Sequence, residues 1–182
     1  EFKQTLREKA ADIISKAEIS DKFLLLMAGR PYHLDPLINH NIPAYITDFG
    51  VDVITEDAVP DDMFNDLKSV HVLTQWAYTN RLYEAAHWAG AKPNVEFIQL
   101  NSFGCGPDAL SVDETKAILN EYGKNQTLIR IDENASPGSV KLRIRSLIES
   151  LKIRKNAVKK SAVPRVTTRP FAASDRKKTM IS

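Results

Sequence analysis

Two hydrophobic rhythms alternate along this chain. Residues 2–17 carry Leu6, Ala10, Ile13 and Ile14 on one helical face, which predicts an amphipathic helix. Phe23-Leu24-Leu25-Leu26-Met27-Ala28 is then apolar without interruption and stops at Gly29, as a strand buried on both faces does. Asp35-Pro36 combines a capping residue with a first-turn proline and predicts a helical turn starting there. Pro43 restarts a helix that Gly50 ends. Residues 51–55 read as a second strand, residues 61–89 as a helix in two pieces ended by Gly90, and residues 95–100 as a third strand. Ser111-Val112-Asp113-Glu114 has the spacing of a capping box and predicts a helix from Ser111 to Gly123. Residues 127–131 supply a fourth strand, and Ser136-Pro137 opens a last helix through about Leu151.

Short apolar strands alternating with helices imply right-handed parallel βαβ units. The expected fold is therefore α/β: a small doubly wound parallel sheet of about four strands, order 2-1-3-4, with helices on both faces, Rossmann- or flavodoxin-like. The expected division is an N-terminal amphipathic helix over 1–20, an α/β lobe over 21–152, and a basic linker or the start of a next lobe over 153–182.

Composition narrows the function classes. The chain has 182 residues, 43% of them hydrophobic, enough for one buried core. No apolar run is long enough to span a bilayer, and no secretory signal opens the sequence, so no membrane partner is expected. The single cysteine, Cys105, excludes an internal disulfide framework and favours a cytoplasmic location. The chain starts at Glu1 rather than Met, which suggests a piece of a longer protein. From Lys152 onward ten basic residues face one acid, Asp175, giving +9 at that end and −7 for the rest. Without regular aromatic interleaving this tail reads as a solvated linker rather than a nucleic-acid arm.

Open parallel sheets bind ligands outside the carboxyl ends of their strands. There this sequence places Gly29-Arg30-Pro31-Tyr32-His33, then Glu56-Asp57, then Asn101-Ser102-Phe103-Gly104-Cys105-Gly106-Pro107-Asp108, and Asp132-Glu133-Asn134. Arg30 suits a bidentate clamp on a phosphate or carboxylate, or an ion pair with Glu56 or Asp57. His33 and His40 suit acid/base work or loop hydrogen bonding. Tyr32, Glu56, Asn101 and Ser102 complete the polar rim. Flanking glycines let backbone amides approach the Cys105 sulfur, which favours a thiolate able to act as a nucleophile or to ligate a soft metal; the plain alternative is a free thiol in a tight turn. Trp76, Tyr83 and Trp88, at helical spacing, read as packing residues.

Several ordered segments resemble the large acyl-CoA dehydratase activase-related proteins, relatives of the 2-hydroxyacyl-CoA dehydratase system. They are Gly29-Arg30-Pro31-Tyr32-His33 with Asp35-Pro36, Asn39-His40 and Ile42-Pro43; Val53-Ile54-Thr55-Glu56-Asp57; and Trp76-x-Tyr78-x-Asn80-Arg81. Gln99-Leu100-Asn101-Ser102-Phe103-Gly104-Cys105-Gly106-Pro107-Asp108-Ala109 is the strongest, and Ile131-Asp132-Glu133 extends it. The resemblance implies a dehydratase-like lobe of a multidomain protein in which an ATP-hydrolysing activase drives a low-potential electron to an iron–sulfur cluster, 4Fe-4S in type, held between lobes. Cys105 would supply one ligand. The others would come from neighbouring lobes of the parent chain, and a cluster needing about four thiolates would be absent from this piece alone. An acyl-CoA or other anion site using Arg30, or a scaffold without chemistry, are the alternatives. The activase's ATP-binding motifs are not in this sequence.

Overall fold

The computed structural model describes residues 2–60, 77–102, 106–131 and 136–161. Helix α1 (Phe2–Ile19) leads into strand β1 (Leu24–Ala28), a single 3₁₀ turn (Pro31–Leu34), α2 (Ile42–Thr47), β2 (Asp52–Thr55) and a second 3₁₀ turn (Glu56–Ala58). Then come α3 (Ala77–Ala91), β3 (Val95–Asn101), α4 (Gly106–Glu121), β4 (Thr127–Arg130) and α5 (Pro137–Ser161). The four strands form one parallel sheet in the order β2-β1-β3-β4, as the alternation of patterns predicts.

Period-two alternation divides the core. Leu24, Leu26, Ala28, Val95 and Phe97 face α1, α3 and α4; Leu25, Met27, Ile98, Leu100 and Ile129 face α2 and α5. Both faces of the sheet are thus covered, which is why β1 and β3 lack polar alternation. Tyr83 and Trp88 lie in the first cluster, as packing residues should. Trp76 lies outside the described residues. Among the described residues, no helix is long and apolar enough to cross a membrane.

The local expectations fail where a tertiary partner overrides a short-range signal. The turn expected at Asp35 is the exception and does form, after an extra 3₁₀ turn at Pro31–Leu34: the Asp35 side chain accepts the Leu37 N–H at 2.8 Å and its carbonyl accepts the Asn39 N–H at 2.9 Å. Helix α3 ends at Ala91, one residue past the expected stop at Gly90, where a β-carbon would come within 2.3 Å of the Tyr122 ring. The capping box at Ser111 is not formed. Helix α4 already runs from Gly106, and the Ser111 hydroxyl donates to the Asp108 carbonyl at 2.9 Å. Beneath α4, Gln99 and Thr115 share a buried hydrogen bond at 2.6 Å, and Gln126 donates to both.

Helix α5 overruns its expected end near Leu151 and continues through Ser161, so the first part of the stretch expected as linker is helical. Its overhang is tied to the amino edge of the sheet. Arg154 pairs with the buried Glu96 of β3, and Lys155 pairs with Asp21 at 3.0 Å. Gly123 closes α4 at φ +69°, where the αL conformation favours glycine. The next residue, Lys124, sends its ammonium to the carbonyls of Ala89, Lys92 and Val95, capping the negative end of α3.

Candidate functional site

The parallel register brings the exits of β1, β2 and β3 to one edge: Met27 lies beside Thr55, and Ala28 beside Gln99. The chain leaving β1 turns at once. Gly29 is required there because a β-carbon would stand 2.5 Å from His33 Nδ1 and 3.2 Å from the Leu100 carbonyl. The 3₁₀ turn folds His33 back over Gly29 and buries it to 1% exposure.

His33 is held from three sides. Its Nδ1 accepts the Arg30 backbone N–H at 3.0 Å, its Nε2 lies 3.0 Å from Ser102 Oγ, and its carbonyl accepts from Asn39 Nδ2 at 2.9 Å. A ring nitrogen that accepts a backbone N–H carries no proton, so the hydrogen-bond network assigns the neutral ring a proton on Nε2, donated to Ser102. Burial is the main reason the His33 pKa lies below its usual value; the Asp108 carboxylate opposes that shift and Arg30 adds to it. Ser102 Oγ also lies 2.6 Å from the Tyr32 hydroxyl, and Tyr32 is partly exposed at the rim.

This pairing resembles a serine–histidine dyad, but its polarity is reversed. A base that activates serine needs an unprotonated nitrogen facing the hydroxyl. Here the unprotonated nitrogen faces a backbone amide, so His33 is a loop hydrogen bonder and Ser102 is not an activated nucleophile.

Arg30 is not paired with Glu56 or Asp57. Its Nε and Nη2 donate to Asp108 Oδ1 at 3.0 and 2.6 Å, its Nη2 donates to the Tyr78 hydroxyl at 3.3 Å, and its guanidinium covers the Tyr78 ring at 4.9 Å. Tyr78 in turn donates to Asp108 at 3.2 Å. The early start of α4 explains the change of partner, since it puts Asp108, 4% exposed, in the first helical turn. These bonds hold Arg30 in its charged form even more firmly than usual. A charge already matched in this way is poorly suited to clamp an external anion. Asp57 pairs with Arg81 instead. Sequence reasoning registered Tyr78 and Arg81 only as parts of a pattern; their spacing around Asn80 was the available signal.

Glu56 is the anomaly of the edge. It is 6% exposed, and burial pushes its carboxyl up to about 7, against the opposing hydrogen bonds from its own and the Gly29 backbone amides. Its Oε2 has no hydrogen-bond partner among the described residues. Asn101 contributes through its backbone, its carbonyl accepting the Ile131 N–H at 2.7 Å. His40 is exposed in the turn before α2, with φ +53°. Cys105 and the loop Asp132-Glu133-Asn134 lie outside the described residues. Among the described residues no group of three or more His, Cys, Asp or Glu is arranged to hold a metal ion.

Residues 1–59 match the family model of the CoA enzyme activase uncharacterised domain. Residues 1–59 are thus similar to a CoA enzyme activase domain. The match takes in α1, β1, the Arg30–His33 turn, α2, β2 and Glu56. No curated protein and no solved structure matches the chain. The rim is built jointly by the matched segment and by Tyr78, Ser102 and Asp108, which lie beyond it.

Proposed function

We propose that this chain is one lobe of a multidomain CoA-substrate-specific enzyme activase, or 2-hydroxyacyl-CoA dehydratase-like protein, whose carboxyl sheet edge faces a neighbouring lobe. In this reading Cys105 supplies one thiolate to an iron–sulfur cluster shared between lobes. The supporting observation is the clamp on Ser102. The segment carrying Cys105 leaves β3 at a serine whose hydroxyl is held by His33 and Tyr32, and it returns to the described chain at Gly106, the first residue of α4. A Ser102 held at the carboxyl edge just before Cys105 suits a thiolate that must meet ligands from another lobe.

The residues present fit only a shared centre. The chain has a single cysteine, against the roughly four thiolates that such a cluster takes. A bound cluster would supply one-electron transfer at low potential. The chain's own part is to hold Ser102 and the arginine–histidine turn rigid and to keep Arg30 and Asp108 mutually neutral beside it. The anion-clamp alternative is disfavoured by the Arg30–Asp108 pair.

The test is an anaerobic preparation of the complete parent protein with iron and sulfide counted. Cys105→Ser is expected to lower both and to bleach the visible cluster absorbance. Iron content unchanged by that substitution removes the ligand role.

A further inference from the structure

The opposite edge of the sheet holds a pocket that the reading above does not use. It is a cavity of about 270 Å³ where the amino ends of β1 and β2 meet the overhang of α5. Val51, Ile148 and Leu151, all buried, contribute to its apolar wall, together with the half-buried rings of Phe23 and Phe49. Three lysines also line it: Lys22, Lys152 and Lys155. Two lie against the rings, Lys155 Nζ 5.4 Å from the Phe23 centroid and Lys152 Nζ 6.0 Å from that of Phe49. Asn156 adds an amide.

Charge counting narrows the ligand. Lys155 is paired with Asp21 at 3.0 Å and Lys152 with Glu149 at 3.1 Å. Lys22 has no ion-pair partner among the described residues, so one positive charge is left over beside an apolar wall. That surplus matches a single negative charge, not the dianion of a phosphate monoester. The cavity lies just below the ~300–1,000 Å³ typical of small-molecule sites, so the ligand is small. The chain's own C-terminal segment is a poor occupant. From residue 162 onward its one acid is Asp175, set among Arg165, Arg169, Arg176, Lys177 and Lys178, and it would repel the lysines.

We propose that this amino-edge pocket binds a small monocarboxylate with an aromatic or short aliphatic body. The body packs on Phe23, Phe49 and Leu151, and the carboxylate meets Lys22 at the mouth. The site depends on α5 continuing past Leu151, because Lys152, Lys155 and Asn156 all lie on that overhang.

The test is a titration of the 182-residue chain with benzoate, with benzyl alcohol and phenyl phosphate in parallel, followed by amide chemical shifts and calorimetry. Saturable benzoate binding is expected, with shifts gathered at residues 22–23, 49–51 and 148–156. Benzyl alcohol should bind about tenfold more weakly, and Lys22→Ala should weaken benzoate to a similar degree. The exposed Lys116→Ala on α4, a charge control, should leave binding unchanged. Phe49→Ala should also weaken binding, and Lys152→Glu, which reverses a rim charge and leaves the rings in place, should abolish it even where Phe49→Ala perturbs the fold. The proposal is overturned if benzoate does not saturate, if benzyl alcohol or phenyl phosphate binds as tightly, or if Lys22→Ala and Lys152→Glu leave affinity intact. It is equally overturned if the shifts map to the carboxyl edge or report self-association of the chain.

Discussion

At the carboxyl edge of the sheet the polar groups answer one another: Arg30 with Asp108 and Tyr78, His33 with Ser102, and Ser102 with Tyr32. These groups are mostly buried, and every bond joins segments distant in sequence or folds a tight turn onto itself. At the amino edge Lys152 and Lys155 lie over aromatic rings, each paired with an acid that is itself exposed, and a third lysine, the exposed Lys22, has no ion-pair partner among the described residues. The carboxyl edge is therefore a rigid frame with little freedom to accept new ligands, whereas the amino edge is soft and open. Rigidity suits presenting a loop to another lobe; openness suits capturing a small molecule. The contrast can be broken at several points, and the effects should scale with burial.

The largest effect is expected at Asp108. Replacing it with alanine leaves Arg30 beside Tyr78 without its counter-charge in a partly buried site, and a broken pair of this kind costs about 3–5 kcal/mol. Urea unfolding should show that loss, and Asp108→Asn, which keeps one acceptor oxygen, should recover part of it. A cost under about 1 kcal/mol would mean that the carboxyl edge is as soft as the amino edge.

Much of this frame could be read from the sequence, because strands buried on both faces leave an unmistakable run of apolar residues and their alternation with helices fixes the sheet order. That Arg30, His33, Glu56 and Ser102 share one edge was legible for the same reason, since loops after parallel strands exit on one side. Their pairings were not. The rim loops offer Arg30 several carboxylates, Glu56, Asp57 and Asp108 among them, and the starting residue of α4 favours Asp108. The Ser111–Glu114 spacing pointed to a later start because capping is a local signal, whereas in the helix that forms Ser111 and Thr115 bond to Gln99 of β3 beneath it. The length of α5 was hidden likewise: its last turns are polar by composition, and the ion pairs of Arg154 and Lys155 that tie them down reach acids in distant elements.

Glu56 gives the next largest effect and a pH signature. Its carboxyl titrates near 7 in the folded chain against 4.5 ordinarily, so between those values the folded state holds a proton that the unfolded state has released. Stability should fall as pH rises from 4.5 to about 7 and then level off, by about 3 kcal/mol at most. His33 tilts the other way. Its lowered pKa means that the unfolded chain takes up a proton first as pH falls through 6.5, so its contribution is complete above that value and is lost below it. Glu56→Gln should remove the first trend and leave a stability that only rises with pH across this window. Denaturant midpoints at matched pH values, wild type against Glu56→Gln and His33→Gln, separate the two.

Gly29→Ala tests the tightness of the frame directly. The added methyl meets His33 Nδ1 at 2.5 Å and backbone at 3.2 Å, so the imidazole must move away from Ser102. Overpacking of this kind costs about 1–3 kcal/mol. The same step should break the Nε2–Ser102 bond, so ¹⁵N spectra of His33 should lose the fixed Nε2–H tautomer and show averaging between the two. If that tautomer persists in the variant, Ser102 is held by something other than His33.

The smallest effect is expected at Asp21, the amino edge's counterpart of Asp108. Both acids neutralise a basic side chain from a distant element, but the Asp21 side chain is 67% exposed where that of Asp108 is 6%. Solvent and salt screen the Asp21–Lys155 pair, so Asp21→Asn, which removes the charge and still suits the φ of +51° at this position, should cost well under about 1 kcal/mol and less still at high salt. It should nevertheless sharpen the comparison through binding. Freeing Lys155 gives the pocket a second unmatched charge, so benzoate affinity should rise severalfold while stability hardly moves. At the carboxyl edge the corresponding loss of charge, Asp108→Ala, should reverse that balance: a large loss of stability and no gain in benzoate binding. One acid placed at a wet edge tunes a ligand, and one placed under a helix start holds the fold; calorimetry and urea melts on the same two variants decide whether burial alone separates them.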